Sequence, residues 1–398
     1  IRQIMGVDKS LFYTTSFLIS VGIAFSLSLS VYTTLYFDVP VYHFFIRQFC
    51  VGMACIFIIW LLSRFDASKQ ILGGLTAFEI VGFMLFIGSF IAMAIMEILP
   101  SSLVPLTGGA RRWIRLGPVS LAPVEFFKIG FVFFLSWSFN RKLDRSKRGI
   151  KEEFTLLIPY FALFGIAGFF ILILQKDFGQ IFLLILTLII LSTFAGASKR
   201  FFVLVGAVLS AILAIAIIMQ PHRIRRLEGW WVTNQDFILS FLPTEYAKLF
   251  YLENAQEPYQ ITHSLNAMYH GGIFGTGLGG GTFKLGFLSE VHTDFVLSGM
   301  SEEIGFVGIL FLTCALIWVI FRILKISSRS ENNVYHLFCL GVATVMCVVF
   351  LMNAYGVTSI TPVKGIAVPF LSYGGSSLLA LSFGIGMVLM VSKKANLS

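Results

Sequence analysis

Long apolar runs fill most of this 398-residue sequence, and they restrict its fold more than any other feature. Each run is long enough, or nearly so, to cross a hydrocarbon layer of about 30 Å as a helix. Charged residues make up only 12% of the chain, about half the share of an average soluble domain. The sequence therefore predicts an all-α polytopic membrane protein. Its ten predicted transmembrane spans are 11–31, 44–63, 77–99, 121–140, 154–174, 180–195, 201–219, 292–321, 334–353 and 375–392.

Basic residues follow the second, fourth, sixth and eighth spans and flank both ends of the chain. Since loops rich in Lys and Arg stay in the cytoplasm, both termini are predicted to be cytoplasmic. Membrane orientation thus explains the net charge of +9, and no nucleic acid is expected as a partner. The outer face then carries residues 220–291, a large loop between spans seven and eight, with an amphipathic helix near 236–254. It also carries 354–374, whose Pro and Gly residues favour a re-entrant or interfacial segment.

A glycine-rich stretch, 270–303, places Glu290, His292 and Asp294 directly before the eighth span. A carboxylate at this boundary can meet a lipid-linked substrate while it stays hydrated. Asp294 is the best candidate for a general base, because it lies at the opening of the eighth span, where the helix dipole favours a negative charge and keeps it ionised. The alternative is a simple carboxylate at the N-terminus of a helix.

Polar residues continue from Asp294 into the predicted span. Ser298, Ser301 and Glu302 fall within about 80° of Asp294 around a helix that turns 100° per residue. A helix cap requires no such stripe, so the pattern predicts the wall of a cavity.

Metal and nucleotide motifs are missing from the sequence. The glycine-rich loop is followed by no GK[ST], and the six histidines show no HExxH spacing. No cofactor or permanent metal site is expected, although a pyrophosphate substrate could hold a loosely bound Mg²⁺ or Mn²⁺ ion.

Three arginines, Arg111, Arg112 and Arg115, lie on the predicted outer face, against the usual charge distribution. Guanidinium groups bind phosphate in a fork, which suggests a pyrophosphate site. The alternative is that they reach lipid headgroups beside Trp113. The residues alone leave both interpretations open.

Other charged residues fall inside apolar surroundings. Glu125 and Lys128 share one face of the fourth span, either as a self-contained ion pair or as substrate contacts. Lys364 is a single cation in the segment 354–374. Lys176 and Asp177 form a small polar group that favours a structural role.

Six stretches resemble the SEDS family (shape, elongation, division and sporulation), represented by RodA and FtsW. The details are more similar to FtsW-type members, although Ser289 stands where the family has proline and the loop after Arg226 is longer. The matching stretches are GGARRWIRLGPVSLAPVEFFKI, LQKDFG, PHRIRR, YQITHSLNAMYHGGIFGTGLGGG, FLSEVHTDFVLSGMSEEIGFVG and PVKGIAVPFLSYGGSSLL.

The resemblance implies a single transmembrane domain over 1–398 that polymerises lipid II into glycan strands. The enzyme would act at the periplasmic face of a bacterial cytoplasmic membrane, without a covalent intermediate and with inversion. The family's catalytic aspartate matches Asp294. Its cavity residues match Arg112, Glu125, Lys128 and Lys364, and Arg111, Glu290, His292 and Ser372 lie in the same motifs and complete the predicted substrate-binding set.

The resemblance also implies partners, namely a single-span class B penicillin-binding protein that crosslinks the strands, and other division proteins. An elongation-type, RodA-like role is the first alternative. A transporter that moves lipid II across the bilayer is another, because intramembrane charges and a broken segment also suit transporters. A scaffold is a third, and it would leave Asp294 and the arginines without a role.

Overall fold

The computed structural model describes residues 6–38, 40, 42–107, 109–117, 119–142, 150–196, 203, 206, 210, 221–252 and 258–395. Its helices are α1 (Lys9–Leu29), α2 (Val31–Tyr36), α3 (His43–Arg64), α4 (Ala77–Phe83), α5 (Ser89–Ile95), α6 (Pro123–Lys142), α7 (Ile150–Gly168), α8 (Phe178–Phe194), α9 (Pro221–Leu239), α10 (Thr244–Phe250), α11 (Tyr259–Gly271), α12 (Val296–Ser328), α13 (Asn333–Val357) and α14 (Gly375–Ser392). Two short antiparallel hairpins pair β1 (Gln70–Leu72) with β2 (Leu75–Thr76) and β3 (Ile114–Leu116) with β4 (Val119–Leu121).

Six helical spans in the described residues are long and apolar enough to cross a membrane. They are α1, α3, α12, α13, α14 and the continuous helix Ala77–Ile95, in which the π-helical turn Met84–Gly88 joins α4 to α5. Shorter apolar helices cover Ile158–Leu174 and Phe178–Phe194. The polytopic all-α prediction is confirmed. The predicted seventh span, 201–219, lies outside the described residues apart from three positions, so the total of ten stays a prediction.

Helix α14 lies at the centre of the bundle, and most of its residues are buried. Its apolar residues point to all sides, which is the pattern of a helix surrounded by other helices. Two glycines allow this close packing. A Cβ on Gly386 would come within 2.6 Å of Leu62 in α3, and one on Gly384 within 3.3 Å of Ile129 in α6. Small residues at such crossings let membrane helices approach one another.

Helix α12 is broken at Gly305, whose φ of 67° and ψ of −174° are not helical. The glycine-rich loop 272–277 fills this break. Four backbone hydrogen bonds of 2.9–3.1 Å join the loop to residues 302–307, two of them donated by each side. The loop thereby supplies hydrogen bonds to backbone groups that the break removes from the helical pattern.

Glycine is required in this joint because the two backbones nearly touch. A Cβ on Gly275 would lie 2.2 Å from the carbonyl oxygen of Glu303, and one on Gly305 would lie 2.3 Å from the nitrogen of Gly275. A Cβ on Gly271 would lie 2.1 Å from the carbonyl oxygen of Ser301. The glycine-rich stretch therefore serves backbone packing, and its glycines do not form a phosphate loop.

The predicted amphipathic helix near 236–254 is wrong in its bounds. The outer loop instead folds into α9, α10 and α11, and Pro243 separates α9 from α10. Proline lacks the N–H that would continue a helix, so one element cannot run through this point.

Candidate functional site

The segment that carries Asp294 is fixed to the last outer segment, 358–374, by its backbone. The carbonyl oxygens of 292–294 each accept one hydrogen bond, from Tyr373 N, Ser372 Oγ and Asn353 Nδ2 at 2.8, 2.7 and 2.7 Å. Asn353 also donates to the carbonyl of Ile366 at 2.7 Å. These bonds set the position of Asp294 through groups that do not touch its carboxylate.

A tight turn at Glu290 precedes Asp294. The φ of Glu290 is 55°, an uncommon value for a residue with a side chain. Its carbonyl oxygen accepts from the amides of residues 293–295 at 3.1, 3.1 and 3.2 Å. Because these bonds belong to the turn, α12 begins only at Val296, and the predicted start at 292 is wrong. Strained turns of this kind are common beside functional groups.

Asp294 does not cap a helix. The residue at the N-cap of α12 is Phe295, and no side chain caps the helix there. Among the described residues, no hydrogen bond or ion pair ends on the Asp294 carboxylate. A Cβ on Gly365, which has a φ of 60°, would lie 2.8 Å from Asp294 Oδ2. The carboxylate thus faces a bare stretch of backbone, where a side chain would obstruct it.

Burial raises the pKa of Asp294 from its ordinary value of 3.8 to about 6, and the negative charge of Glu290 adds to this rise. Arg226 and Arg112 act in the opposite direction, and Asp177 adds a smaller rise. This rise is opposite in direction to the lowering of the pKa that a helix dipole would cause, although a carboxyl with a pKa of about 6 is still mostly ionised at neutral pH. It also reveals which charges surround the carboxylate.

Arg112 lies just before β3, and its side chain reaches the start of α8. Its Nε donates to the carbonyl of Gln175 at 2.8 Å and its Nη2 to that of Lys176 at 3.1 Å. Asp177 caps α8 by accepting from the amide of Gln180 at 3.1 Å. Burial raises the pKa of Asp177, and Arg112 counteracts this rise. The guanidinium of Arg112 is therefore held on the side of Asp177 and Asp294.

Glu125 and Lys128 form an ion pair of 2.7 Å on α6, with side chains 14% and 6% exposed. The other carboxylate oxygen of Glu125 accepts from Gln180 Nε2 at 2.7 Å. The predicted ion pair between Glu125 and Lys128 is therefore present, and Gln180 joins it to α8. Substrate contact by these two residues stays a prediction.

Three further cations surround the start of α8. The guanidinium of Arg223 lies 5.4 Å from the centre of the Phe178 ring, and Lys364 Nζ lies 5.0 Å from the same ring. Burial lowers the pKa of Lys364. Arg226 Nη1 lies 3.5 Å from the carbonyl of Val363. Of these cations, Arg226 acts on the charge of Asp294 together with Arg112, and Arg223 acts with Asp177.

Arg111, His292 and Ser372 make contacts within the chain, and their predicted substrate contacts stay predictions. Arg111 Nη1 donates to the carbonyls of Glu97 and Leu99 at 3.2 and 3.4 Å. His292 is 6% exposed, with its ring between Phe44 and Tyr373 at centroid distances of 5.2 and 5.6 Å. Ser372 is 3% exposed, and its hydroxyl both donates to Thr293 and accepts from Val368. All three hold the backbone or pack beside it.

The predicted polar stripe on α12 is wrong as a cavity wall. Ser298 is fully buried and shares a hydrogen bond of 2.6 Å with Ser264 of α11. Glu302 is 1% exposed, and it accepts from the amides of Thr282 and Phe283 in the glycine-rich stretch and from His270. These polar groups join α12 to its neighbours.

Asp177, Arg223 and Arg226 were not predicted as site residues. Arg223 and Arg226 are three apart and therefore share one face of α9. That spacing was a signal in the sequence. Their approach to Asp177 and Asp294, however, depends on how distant loops fold together, which periodicity does not reveal.

Within the described residues, no group of three or more His, Cys, Asp or Glu side chains converges as a metal site. The loosely bound Mg²⁺ or Mn²⁺ ion stays a prediction.

Comparison with known proteins agrees with this architecture. The chain is 44% identical over 391 residues to the probable peptidoglycan glycosyltransferase FtsW of Helicobacter pylori, covering 98% of this chain and 99% of that one. It is 32% identical over 284 residues to the protein of the same name from Trichlorobacter lovleyi, covering 71% and 69%.

Solved structures with the same fold include a chain from a peptidoglycan synthase complex, with a TM-score of 0.67, 20% identity and coverage of 98% and 99%. The rod shape determining protein RodA of Thermus thermophilus aligns with a TM-score of 0.60, 20% identity and 98% coverage of each chain.

The family model for FtsW, RodA and SpoVE, described as cell cycle proteins, matches residues 8–397. The match spans nearly the whole sequence and agrees with the full-length similarity to the Helicobacter pylori protein. This chain therefore belongs to the family of FtsW, RodA and SpoVE cell cycle proteins.

Proposed function

We propose that this chain is a peptidoglycan glycosyltransferase that polymerises lipid II during cell division. The family match and the names of the relatives support this activity. The observation that carries the chemical proposal is Asp294. Its carboxyl has a pKa of about 6, makes no hydrogen bond or ion pair within the described residues, and faces Arg112 and Arg226.

In the proposed reaction, the Asp294 carboxylate takes the proton from the 4-hydroxyl of the acceptor sugar. The hydroxyl oxygen bonds to the anomeric carbon of the donor, and the bond from that carbon to the pyrophosphate breaks. The polyprenyl pyrophosphate leaves with the electron pair, so an α-linked donor gives a β-linked strand by inversion. A base with a pKa near the working pH is efficient, and such catalysis contributes about 10²–10⁴-fold.

The cations around α8 supply the second part of the mechanism. Arg112, Arg226 and Lys364 can stabilise the negative charge that develops on the departing pyrophosphate. Lys128 contributes less directly, because its ammonium is paired with Glu125. A low-polarity surrounding strengthens these charge interactions, and the lowered pKa of Lys364 reflects such a surrounding.

Orientation and partners follow from charge and exposure. The basic loops favour a bacterial cytoplasmic membrane with both termini inside and Asp294 at the periplasmic face. A class B penicillin-binding protein is the proposed partner, and the loop 220–291 and the outer ends of the predicted eighth and ninth spans are its proposed contact surfaces. Phe237, Phe241 and Leu249 in this loop are 70%, 74% and 76% exposed, which suits a protein contact.

Lipid II polymerisation by the purified protein with its transpeptidase tests the proposal. Asp294→Asn should reduce the rate of strand formation at least about 10²-fold through loss of the base. Asp38→Asn is the matched control, because Asp38 is an exposed aspartate just after α2 and lies outside the proposed contact surface. Near wild-type polymerisation by Asp294→Asn would exclude Asp294 as the base, and Glu290 would be the next residue to test.

A further inference from the structure

A second site lies at the opposite end of the bundle from Asp294. Phe44, at the start of α3, packs against His292, and α3 ends at Arg64. Twenty-two residues of helix separate these ends by about 30 Å at 1.5 Å per residue. A cavity of about 910 Å³ opens there between the start of α1, the end of α3 and Lys393. This cavity therefore lies about one membrane thickness away from the proposed catalytic centre.

Positive charge surrounds this cavity. Lys9, Arg64, Lys69 and Lys393 contribute four cations to its lining, against the single carboxylate of Asp66. Asp66 is already paired with Lys394 at 3.3 Å and accepts two hydrogen bonds from Ser68. The nearby Asp8 is buried and paired with Arg322 at 2.6 Å. The carboxylates are thus neutralised by other partners, and the lining keeps an excess of positive charge.

The remaining walls are apolar and lie at the level where lipid meets water. Tyr13, Trp60, Phe65 and Ile71 line the cavity and are 66%, 41%, 38% and 53% exposed. Aromatic residues are enriched at this level of a membrane. The guanidinium of Arg64 stacks on Trp60 at 4.6 Å, which fixes a cation beside the apolar wall. A ligand that suits both parts of this cavity has an anionic head and apolar chains.

We propose that this cavity binds the phosphate head of an anionic glycerophospholipid, with the acyl chains along the aromatic wall. Basic pockets between membrane helices are suited to such heads. Lipid chains are the ordinary neighbours of exposed apolar side chains at this level of the membrane, and the excess positive charge favours an anionic head. A zwitterionic lipid would gain little from the excess positive charge.

Native mass spectrometry of the purified protein, titrated with phosphatidylglycerol or phosphatidylcholine of identical chains, tests this site. Lys9→Gln/Lys69→Gln removes two exposed cations from the lining, and phosphatidylglycerol affinity should fall about 30-fold. The matched control is Arg141→Gln/Lys325→Gln, which removes two cations from helix ends on the same side of the bundle. Arg141 also stacks on a tryptophan, at 4.0 Å from Trp137, but does not line the cavity.

The expected pattern is tight phosphatidylglycerol binding by the wild type and the control, weak binding by the cavity variant, and weak phosphatidylcholine binding by all three. Equal phosphatidylglycerol binding by all proteins, or equal retention of both lipids, overturns the proposal. Soluble glycerol phosphate distinguishes a lipid site from a free-phosphate site. If it displaces phosphatidylglycerol at equal concentration, the acyl chains contribute nothing and the lipid assignment is wrong. If the double variant does not fold, Arg64→Gln, which removes the stacked cation alone, replaces it with the same expected pattern.

Discussion

Asp294 combines two properties that oppose each other in a folded protein. A carboxyl with a raised pKa is available as a base near neutral pH, but its ionised form is less stable in the folded state than in water. The balance is set by its neighbours, because Glu290 disfavours the charge and Arg112 and Arg226 favour it. This arrangement has consequences for both stability and rate.

The stability consequence is a gain for Asp294→Asn at neutral pH. The pKa is about 6 in the folded chain and near 3.8 when unfolded, so the folded state holds this proton to higher pH. The stabilisation from the protonated carboxyl is full below pH 4 and is lost as the pH rises through 6. Asparagine cannot ionise, so the melting temperature of the variant should exceed that of the wild type increasingly from pH 4 to 7. Thermal unfolding across this range measures the difference. A constant difference would mean that Asp294 titrates normally.

The rate consequence concerns Arg226, which lowers the pKa of Asp294. In the wild type the rate of polymerisation should rise with pH through about 6, as the base loses its proton. Arg226→Gln removes a favourable charge, so the same rise should occur at higher pH, with a lower maximum. Arg225→Gln is the matched control, because Arg225 is the adjacent residue of α9 and is not among the charges that act on Asp294. Identical pH–rate profiles for both variants would contradict a role for Arg226 at the site.

At the level of single residues, the sequence indicated which ionisable residues belong near the site, but it did not predict which atoms their side chains contact. Asp294 and Lys364 could be selected because ionisable groups at a membrane boundary are rare and costly. His292 and Ser372 belong to the same motifs, yet the His292 ring packs between Phe44 and Tyr373, and the Ser372 hydroxyl bonds to the backbone. A motif shows that a residue is needed, but the direction of its side chain depends on segments far away in the chain.

Helix α12 shows the corresponding limit for elements. Hydropathy predicts one uninterrupted span, 292–321, at this place in the sequence, although Glu302 and Glu303 precede the break. The break at Gly305 depends on the loop 272–277, whose backbone enters the helix from another part of the sequence. Single-span hydropathy was sufficient for the bounds of α14, where no other segment interrupts the helix.

The joint between this loop and α12 predicts a strong and selective effect of alanine. Gly275→Ala would place a methyl 2.2 Å from the carbonyl of Glu303, at a φ of 82°. Gly277→Ala is the matched control, because its φ is 92° but no atom lies within 4 Å of the new Cβ. The free energy of unfolding of the control should fall only by the cost of a non-glycine residue in left-handed conformation, about 1–2 kcal/mol. Gly275→Ala should reduce the stability much more, and the melting temperatures of the two variants in detergent measure the difference. Equal losses would mean that backbone conformation alone explains the glycines.

In the whole bundle, the charged groups of the candidate site and the apolar packing core lie at different depths along the helices. The charged groups of the candidate site lie at the ends of α6, α8 and α12, while α14 fills the interior beneath them. Composition and hydropathy predicted the polytopic helical class correctly, and six of the described helices are long and apolar enough to be membrane spans. The central place of α14 was not predicted, because apolarity on all sides suits both a buried and a lipid-facing membrane helix.

This packing distinguishes a polymerase from a transporter. Both α6 and α14 begin at the Asp294 end, where the amide of Ala122 donates to Ser376 Oγ at 2.8 Å. A transporter has to open a path between such helices, whereas a polymerase that works at one face does not. A Cβ on Gly384 would lie 3.6 Å from Ile129 Cγ2, so the two helices are in contact at these positions, and we select them for a cysteine pair.

We expect Ile129→Cys/Gly384→Cys to polymerise lipid II equally well before and after oxidation, because the proposed reaction needs no separation of α6 from α14. The exposed native cysteines, Cys50 and Cys314, are replaced by serine to prevent other crosslinks. The reduced form of the same protein is the control for any effect of the substitutions. Polymerisation is measured with the transpeptidase present, and lipid II movement is followed in liposomes. If oxidation stops lipid II movement and reduction restores it, while neither form makes glycan strands, transport is the activity of this fold and Asp294 serves a substrate pathway.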